Sequence, residues 1–180
     1  MKLKDCISFD DVLLVPKYSE IMSRKEISLN SKLDSNIELC LPIISSPMDT
    51  VTEEKMVSSM SYHGGLGIIH RYNSIEEQVR IVSMCNDSAN IGAAIGVTGD
   101  YLERAIALKN SGVNIICVDI AHGHHAMMRH ALFVLRNTFG DDIHIMAGNV
   151  ATLDAFNDLA DWGANSIRVG IGGGSICSTR

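Results

Sequence analysis

Five cysteines are spread along the 180 residues, at Cys6, Cys40, Cys85, Cys117 and Cys177, and one stands apart from the rest. Cys117 lies inside an apolar run and Cys85 near a helix end, places where a thiol packs as a small hydrophobe. Cys177 instead follows Gly170-Ile-Gly-Gly-Gly-Ser-Ile and is followed by Ser178, Thr179 and Arg180. A neighbouring guanidinium and converging backbone N–H groups favour thiolate, which is the nucleophilic form. The glycines and Ser175 let N–H groups close on an anion, as in a phosphate nest. The run is not a Walker loop, lacking Gly-Lys-Ser/Thr at its end. It is also a poor dinucleotide fingerprint, because its third glycine is out of register and no helix start follows. Taken alone, it reads equally as a flexible connection.

Other polar residues gather where apolar runs end. Asp119 closes the run IICVD, a place suited either to a ribose hydroxyl or to capping the next helix. Asn149 and Arg168 stand at or near the ends of two later runs, and Arg168 reads as an outward strand charge or as a ligand clamp. His122, His124 and His125 cluster, with His130 further on. A zinc site built on them would need ligands from other strands. His70 is the only other strand-end histidine and has no paired carboxylate, so loop histidines opening an exposed helix are expected, and no zinc.

The elements that must carry these residues follow a rhythm. Short apolar runs begin near 41, 66, 91, 114, 143 and 166, spaced 23 to 29 residues apart. Between them lie amphipathic stretches over 53–63, 74–84, 100–111, 124–139 and 152–162. Several end in glycine punctuation, and Ser74 with Glu77 forms a capping box. Strand and helix in alternation mean β-α-β units and a parallel sheet. The period alone leaves a doubly wound sheet and a barrel equally open. Residues 1–40 read as an extension with a short β-hairpin, its strands at 26–30 and 36–40, and residues 41–180 as six β/α units.

Composition narrows the function classes. A net charge of −6 offers no basic face for nucleic acid or an anionic membrane. No apolar stretch reaches membrane-spanning length, and the acidic start is no secretory leader. An odd number of cysteines without a C-x-x-C pair fits free thiols and a cytoplasmic location.

The segments SFDDVLLVPKYSE, SSPMDTVTE, HGGLGIIHR, SIEEQ, DIAHGH, AGNVAT and VGIGGGSICSTR together resemble the IMP dehydrogenase/GMP reductase family, in the family's order. The resemblance implies a (β/α)₈ TIM barrel, here an incomplete one of about six strands, and a homotetramer. It implies a purine nucleotide, IMP or GMP, with Ser175 at its phosphate, Ser46 and Met48 lining its pocket, and Asn149 and Arg168 on the floor. Cys177 would attack purine C2 to form a thioimidate, and Thr179 would serve proton transfer. Asp119 would meet the cofactor ribose, with Ile120, Ala121, Gly170, Ile171 and Gly172 beside it. The cofactor would be NAD, or NADPH in a reductase. Carbonyls of Gly172, Gly174 and Cys177 would hold K⁺.

Three departures accompany the resemblance. The family's Gly-Pro-Gly is Gly172-Gly173-Gly174, the inserted domain pair is missing between SIEEQVRIVSMC and ANIGAAIGV, and the later strands would lie past Arg180. The expected activity is NAD-dependent oxidation of IMP to XMP. The alternatives are reduction of GMP, which the missing insert favours, and a non-catalytic nucleotide- or partner-binding remnant. The 180 residues alone are expected not to sustain turnover.

Overall fold

The computed structural model describes residues 11–85 and 90–173. Residues 11–30 run along the surface, with a 3-10 turn at Arg24–Glu26. A two-stranded antiparallel hairpin follows, β1 (Ser31–Lys32) and β2 (Glu38–Leu39), paired Ser31 to Leu39 and Lys32 to Glu38. The first strand thus falls later than the 26–30 expected from sequence. Asp34 explains the shift, because its Oδ1 accepts the N–H groups of Asn36 and Ile37 at 2.7 and 2.8 Å. That Asx turn places the reversal at 33–37 and leaves residues 26–30 with no strand opposite.

Six parallel strands come next, alternating with five helices. They are β3 (Ile44–Ser45), β4 (Leu66–Ile69), β5 (Gly92–Ile95), β6 (Ile115–Asp119), β7 (His144–Val150) and β8 (Ser166–Val169). The helices are α1 (Glu54–Tyr62), α2 (Ile75–Ser83), α3 (Tyr101–Asn110), α4 (Ala126–Phe139) and α5 (Leu153–Asp161). The sheet order is β3-β4-β5-β6-β7-β8, each strand beside its successor in sequence. A doubly wound sheet reverses its order part-way. This one never reverses, and the sheet curls as a half-barrel.

Strand side chains alternate between two cores, as the two-residue period requires. One set, Ile69, Ala93, Ile95, Ile116, Val118, Ile145 and Ala147, packs outward under the helices. Helix α4 meets it with Met128, Ala131, Leu132 and Leu135, the spacing of one helical face. The other set, Leu66, Ile68, Ala94, Ile115, Cys117 and Met146, faces the inside of the curl. There the hairpin closes the floor with Leu33, Ile37 and Leu39.

Buried Gln78 fixes the upper ends of β4 and β5. Its amide donates to the carbonyls of His70 and Ala94, both at 2.9 Å, and its oxygen accepts from Arg104 at 2.8 Å. Ser74 caps α2 through the N–H of Glu77, as the sequence predicts. The Glu77 carboxylate turns instead to Arg80.

Candidate active site

The carboxyl ends of the strands carry the loops that matter, as parallel α/β sheets require. Across β6, β7 and β8 the register aligns Asp119, Gly148 and Arg168 in one row. Arg168 Nη1 donates to Asp119 Oδ1, forming an ion pair that reaches over the middle strand. Gly148 makes this possible, since a Cβ there would fall 2.6 Å from Arg168 Cβ. Both side chains are mostly buried, 26 % and 20 % exposed.

The electrostatics below the pair are settled by burial. The Cys117 thiol lies 3.8 Å from Arg168 Nη1 and is pushed up to about 12 by its burial. Burial alone would depress the Arg168 guanidinium, yet it is held above its ordinary value by Cys117 and Asp119. Since Cys117 is protonated at neutral pH, the charge that Arg168 answers is the Asp119 carboxylate. Arg168 is therefore an inward residue and not an outward strand charge. Nor does Asp119 cap α4, whose N-cap is His125.

Asn149 ties the loops together. Its Nδ2 donates to the Gly170 carbonyl at 2.8 Å, and its backbone N–H donates to the Ile120 carbonyl at 2.9 Å. Its own carbonyl accepts from Gly123 N–H at 2.7 Å. A Cβ at Gly123 would stand 2.8 Å from that carbonyl, so the approach needs glycine. One residue of β7 thus anchors the loop after β6 and the start of the glycine run after β8.

These groups line one cleft of about 460 Å³ with Ser46, Met48, Ile120, Ala121, Ile171 and Gly172. All the site residues expected from sequence that fall within the described part meet there. Gly174, Ser175, Cys177 and Thr179 lie outside the described residues. The cleft also contains Pro47, Arg71 and Tyr72, which sequence reasoning did not select. Arg71 sits 5.4 Å over the Tyr72 ring, and its Nε has no hydrogen-bond partner among the described residues. Its place just past β4, ending HGGLGIIHR, was the signal available. A polar recess of about 210 Å³, formed by Gly96, Thr98, Asp100 and Arg104, adjoins the cleft through Arg71 and Ile120.

The histidine cluster is occupied otherwise. His124 Nε2 pairs with Asp158 Oδ2 at 2.7 Å, and His125 Nδ1 accepts the N–H of Met127 at the start of α4. The described residues contain no group of three His, Cys, Asp or Glu arranged to hold a metal ion. Among them no helix is long and apolar enough to cross a membrane.

Comparison with known proteins agrees with this geometry. The family model described as IMP dehydrogenase / GMP reductase domain matches residues 6–180. The chain belongs to the IMP dehydrogenase/GMP reductase family. An inosine-5′-monophosphate dehydrogenase of Cryptosporidium parvum is 36 % identical over 218 aligned residues, covering 97 % of this chain and 53 % of that protein. One from Borreliella burgdorferi is 31 % identical over 228, covering 98 % and 56 %. A GMP reductase of Leishmania major is 26 % identical over 313, covering 99 % and 64 %. The chain therefore spans between 53 % and 64 % of the length of these curated relatives. As a family member it has the incomplete (β/α)₈ architecture that its six consecutive parallel strands display.

Proposed function

We propose that this chain supplies the nucleotide and cofactor cleft of an IMP dehydrogenase, oxidising IMP to XMP with NAD⁺. The observation that carries the reading is the convergence of Ser46, Met48, Asp119, Asn149, Arg168 and Gly170 on one cleft at the strand ends. Asp119 is a fixed carboxylate acceptor suited to ribose hydroxyls, and the adjoining recess extends the cleft for a ligand longer than a mononucleotide.

Each residue then has a physical task. Cys177, as a soft nucleophile, adds to purine C2 and forms a thioimidate once hydride has left. A bound nicotinamide supplies the hydride acceptor. Asn149 holds the start of the loop that carries Cys177 through the Gly170 carbonyl. Ser175 and the neighbouring amides take the phosphate, and Thr179 moves a proton near the thioimidate. The carbonyls of Gly172, Gly174 and Cys177 form the K⁺ site, and the complete enzyme is a cytoplasmic homotetramer.

The competing reading is GMP reductase, with NADPH as reductant. A missing insertion does not favour it. The L. major reductase aligns over 313 residues against 180 here, so a reductase also carries long segments without counterpart, and the C. parvum dehydrogenase aligns over only 218. The segments SSPMDTVTE and DIAHG resemble dehydrogenases more closely. The test is to supply the complete protein with IMP and NAD⁺, then with GMP and NADPH, and follow NAD(P)H absorbance. Growth of absorbance in the first mixture alone supports the dehydrogenase. Loss in the second alone would establish the reductase, and no change in either would leave a binding module.

A further inference from the structure

At the opposite ends of β7 and β8, where those strands begin, three side chains form a relay. His144 opens β7 and Ser166 opens β8, while Asp34 comes from the hairpin turn 110 residues before the histidine. His144 Nδ1 is bound to Asp34 Oδ2, and His144 Nε2 lies 2.7 Å from Ser166 Oγ. Asp34 is itself oriented by the N–H groups of Asn36 and Ile37. An ionised carboxylate at Nδ1 selects the tautomer with its proton there, so Nε2 accepts the serine hydroxyl. These are the contacts that link acid, base and nucleophile in serine hydrolases.

The surroundings suit a reaction at the serine. Ser166 is half-buried and lines a cavity of about 150 Å³ with Leu33, Ile44, Ile68, Met146 and Arg168. Ser46, Pro47 and Arg168 line both this cavity and the main cleft, so the two adjoin. Arg168 lies two residues along β8 on the same face, with only Nη1 committed, to Asp119 and Cys117, among the described residues.

We propose that Ser166, His144 and Asp34 form a second centre, an esterase site for short apolar acyl groups. Ser166 Oγ bonds to the ester carbonyl carbon while its proton passes to His144 Nε2. The bond to the alcohol oxygen breaks, and the alcohol leaves with that proton. Water, deprotonated by the same nitrogen, then splits the acyl-serine into free acid and Ser166. The sum is ester plus water giving acid plus alcohol, with no redox partner. Asp34 positions the imidazole and steadies its protonated form. Apart from Ser46, Pro47 and Arg168 lining both spaces, the site stands independently of the purine reading.

The test treats the full chain with p-nitrophenyl acetate and maps acetylated peptides by mass spectrometry. Acetyl on Ser166 is expected, with nitrophenolate release about 100-fold or more above Ser166→Ala. The palmitoyl ester, too long for the cavity, should react far more slowly. Asp34 from the hairpin, Arg136 from α4, and Asp141 and Asp142 before β7 are the charged groups around the imidazole. Burial holds that imidazole below its ordinary 6.5, so acylation should rise through one ionisation whose midpoint lies below that value. The acetyl map and the pH profile use only the wild-type chain and decide the matter even if His144→Gln does not fold. An unlabelled Ser166, release unchanged in folded Ser166→Ala, or equal rates for both esters would overturn the assignment.

Discussion

Asp119 and Arg168 belong to strands that are not neighbours, yet their side chains meet across Gly148. The pair lies on the cleft floor, where the acid has been drawn into place by a base 49 residues later. A methyl group on the intervening residue would stand where the arginine stem lies. Gly148→Ala should therefore force β8 away from β7 and break the pair, costing about 1–3 kcal/mol as overpacking does. Urea unfolding monitored by Trp162 fluorescence measures it. A change under about 0.3 kcal/mol would show that the sheet absorbs the methyl group.

Removing the Asn149 amide should act on chemistry more than on stability. Asn149→Ala loses one hydrogen bond, about 1 kcal/mol, but frees the Gly170 carbonyl that anchors the glycine run. Labelling of Cys177 by a 6-chloropurine nucleotide should slow about tenfold or more. An unchanged labelling rate would detach Asn149 from the loop.

The cysteines should sort by environment. Burial pushes Cys85 up to about 11 and Cys117 up to about 12, whereas Cys40 is exposed. At neutral pH Cys117 is therefore held as the thiol. Iodoacetamide on the native chain should alkylate Cys40 and spare Cys85 and Cys117 until denaturant is added. Labelling of Cys117 in the folded state, read by peptide mass, would contradict that packing.

Acid should loosen the hairpin from the floor of the half-barrel. For Asp34, burial raises the pKa, but bonds from His144, Asn36 and Ile37 outweigh it and leave the group below its ordinary 3.8. For His144, burial wins over Asp34, and the imidazole falls below 6.5. In both cases the unfolded chain binds the proton more readily, so stability falls as pH drops. The histidine part should be lost from about pH 6.5 downward, and the aspartate part below about 3.8. Thermal melts of wild type and His144→Gln across that range should converge toward acid. Parallel curves would remove His144 from the linkage.

Much of the fold was legible because strand and helix have different periods. The run IICVD and the face Met128, Ala131, Leu132 and Leu135 announce one strand and one helix without further help. What the periods could not give was closure, since a barrel and a doubly wound sheet share them; only the unreversed strand order separates the two. The hairpin strand at 26–30 was misplaced because Asp34, a local hydrogen-bonding residue, sets the register from the turn outward. Asp119 and Arg168 were each visible as strand-end polar groups. Their pairing was not, because it depends on a register between β6, β7 and β8 that no local pattern encodes. Arg71 escaped notice for a similar reason, as its place in the cleft follows from how β4 neighbours β3, whose following loop brings Ser46 and Met48 to the same space. The relay of Asp34, His144 and Ser166 is of the same kind, three distant residues joined only by the closing of the floor.

An unreversed strand order gives the molecule two faces with unequal freedom. The cleft is assembled from connections that leave strand ends, and each is held to length by its neighbours, as Asn149 holds Ile120, Gly123 and Gly170. The connections that return from helix to strand open on the other face, where Asn90 at the entry to β5 bonds Asn114 at 2.8 Å. The return from α2 to β5 is where the family resemblance implies an inserted domain pair. Extra chain added there would hang from the far side of the sheet, with no cleft residue displaced. Growth and the nucleotide cleft are thus kept on separate surfaces, and a lineage is free to gain or shed whole modules without displacing that cleft.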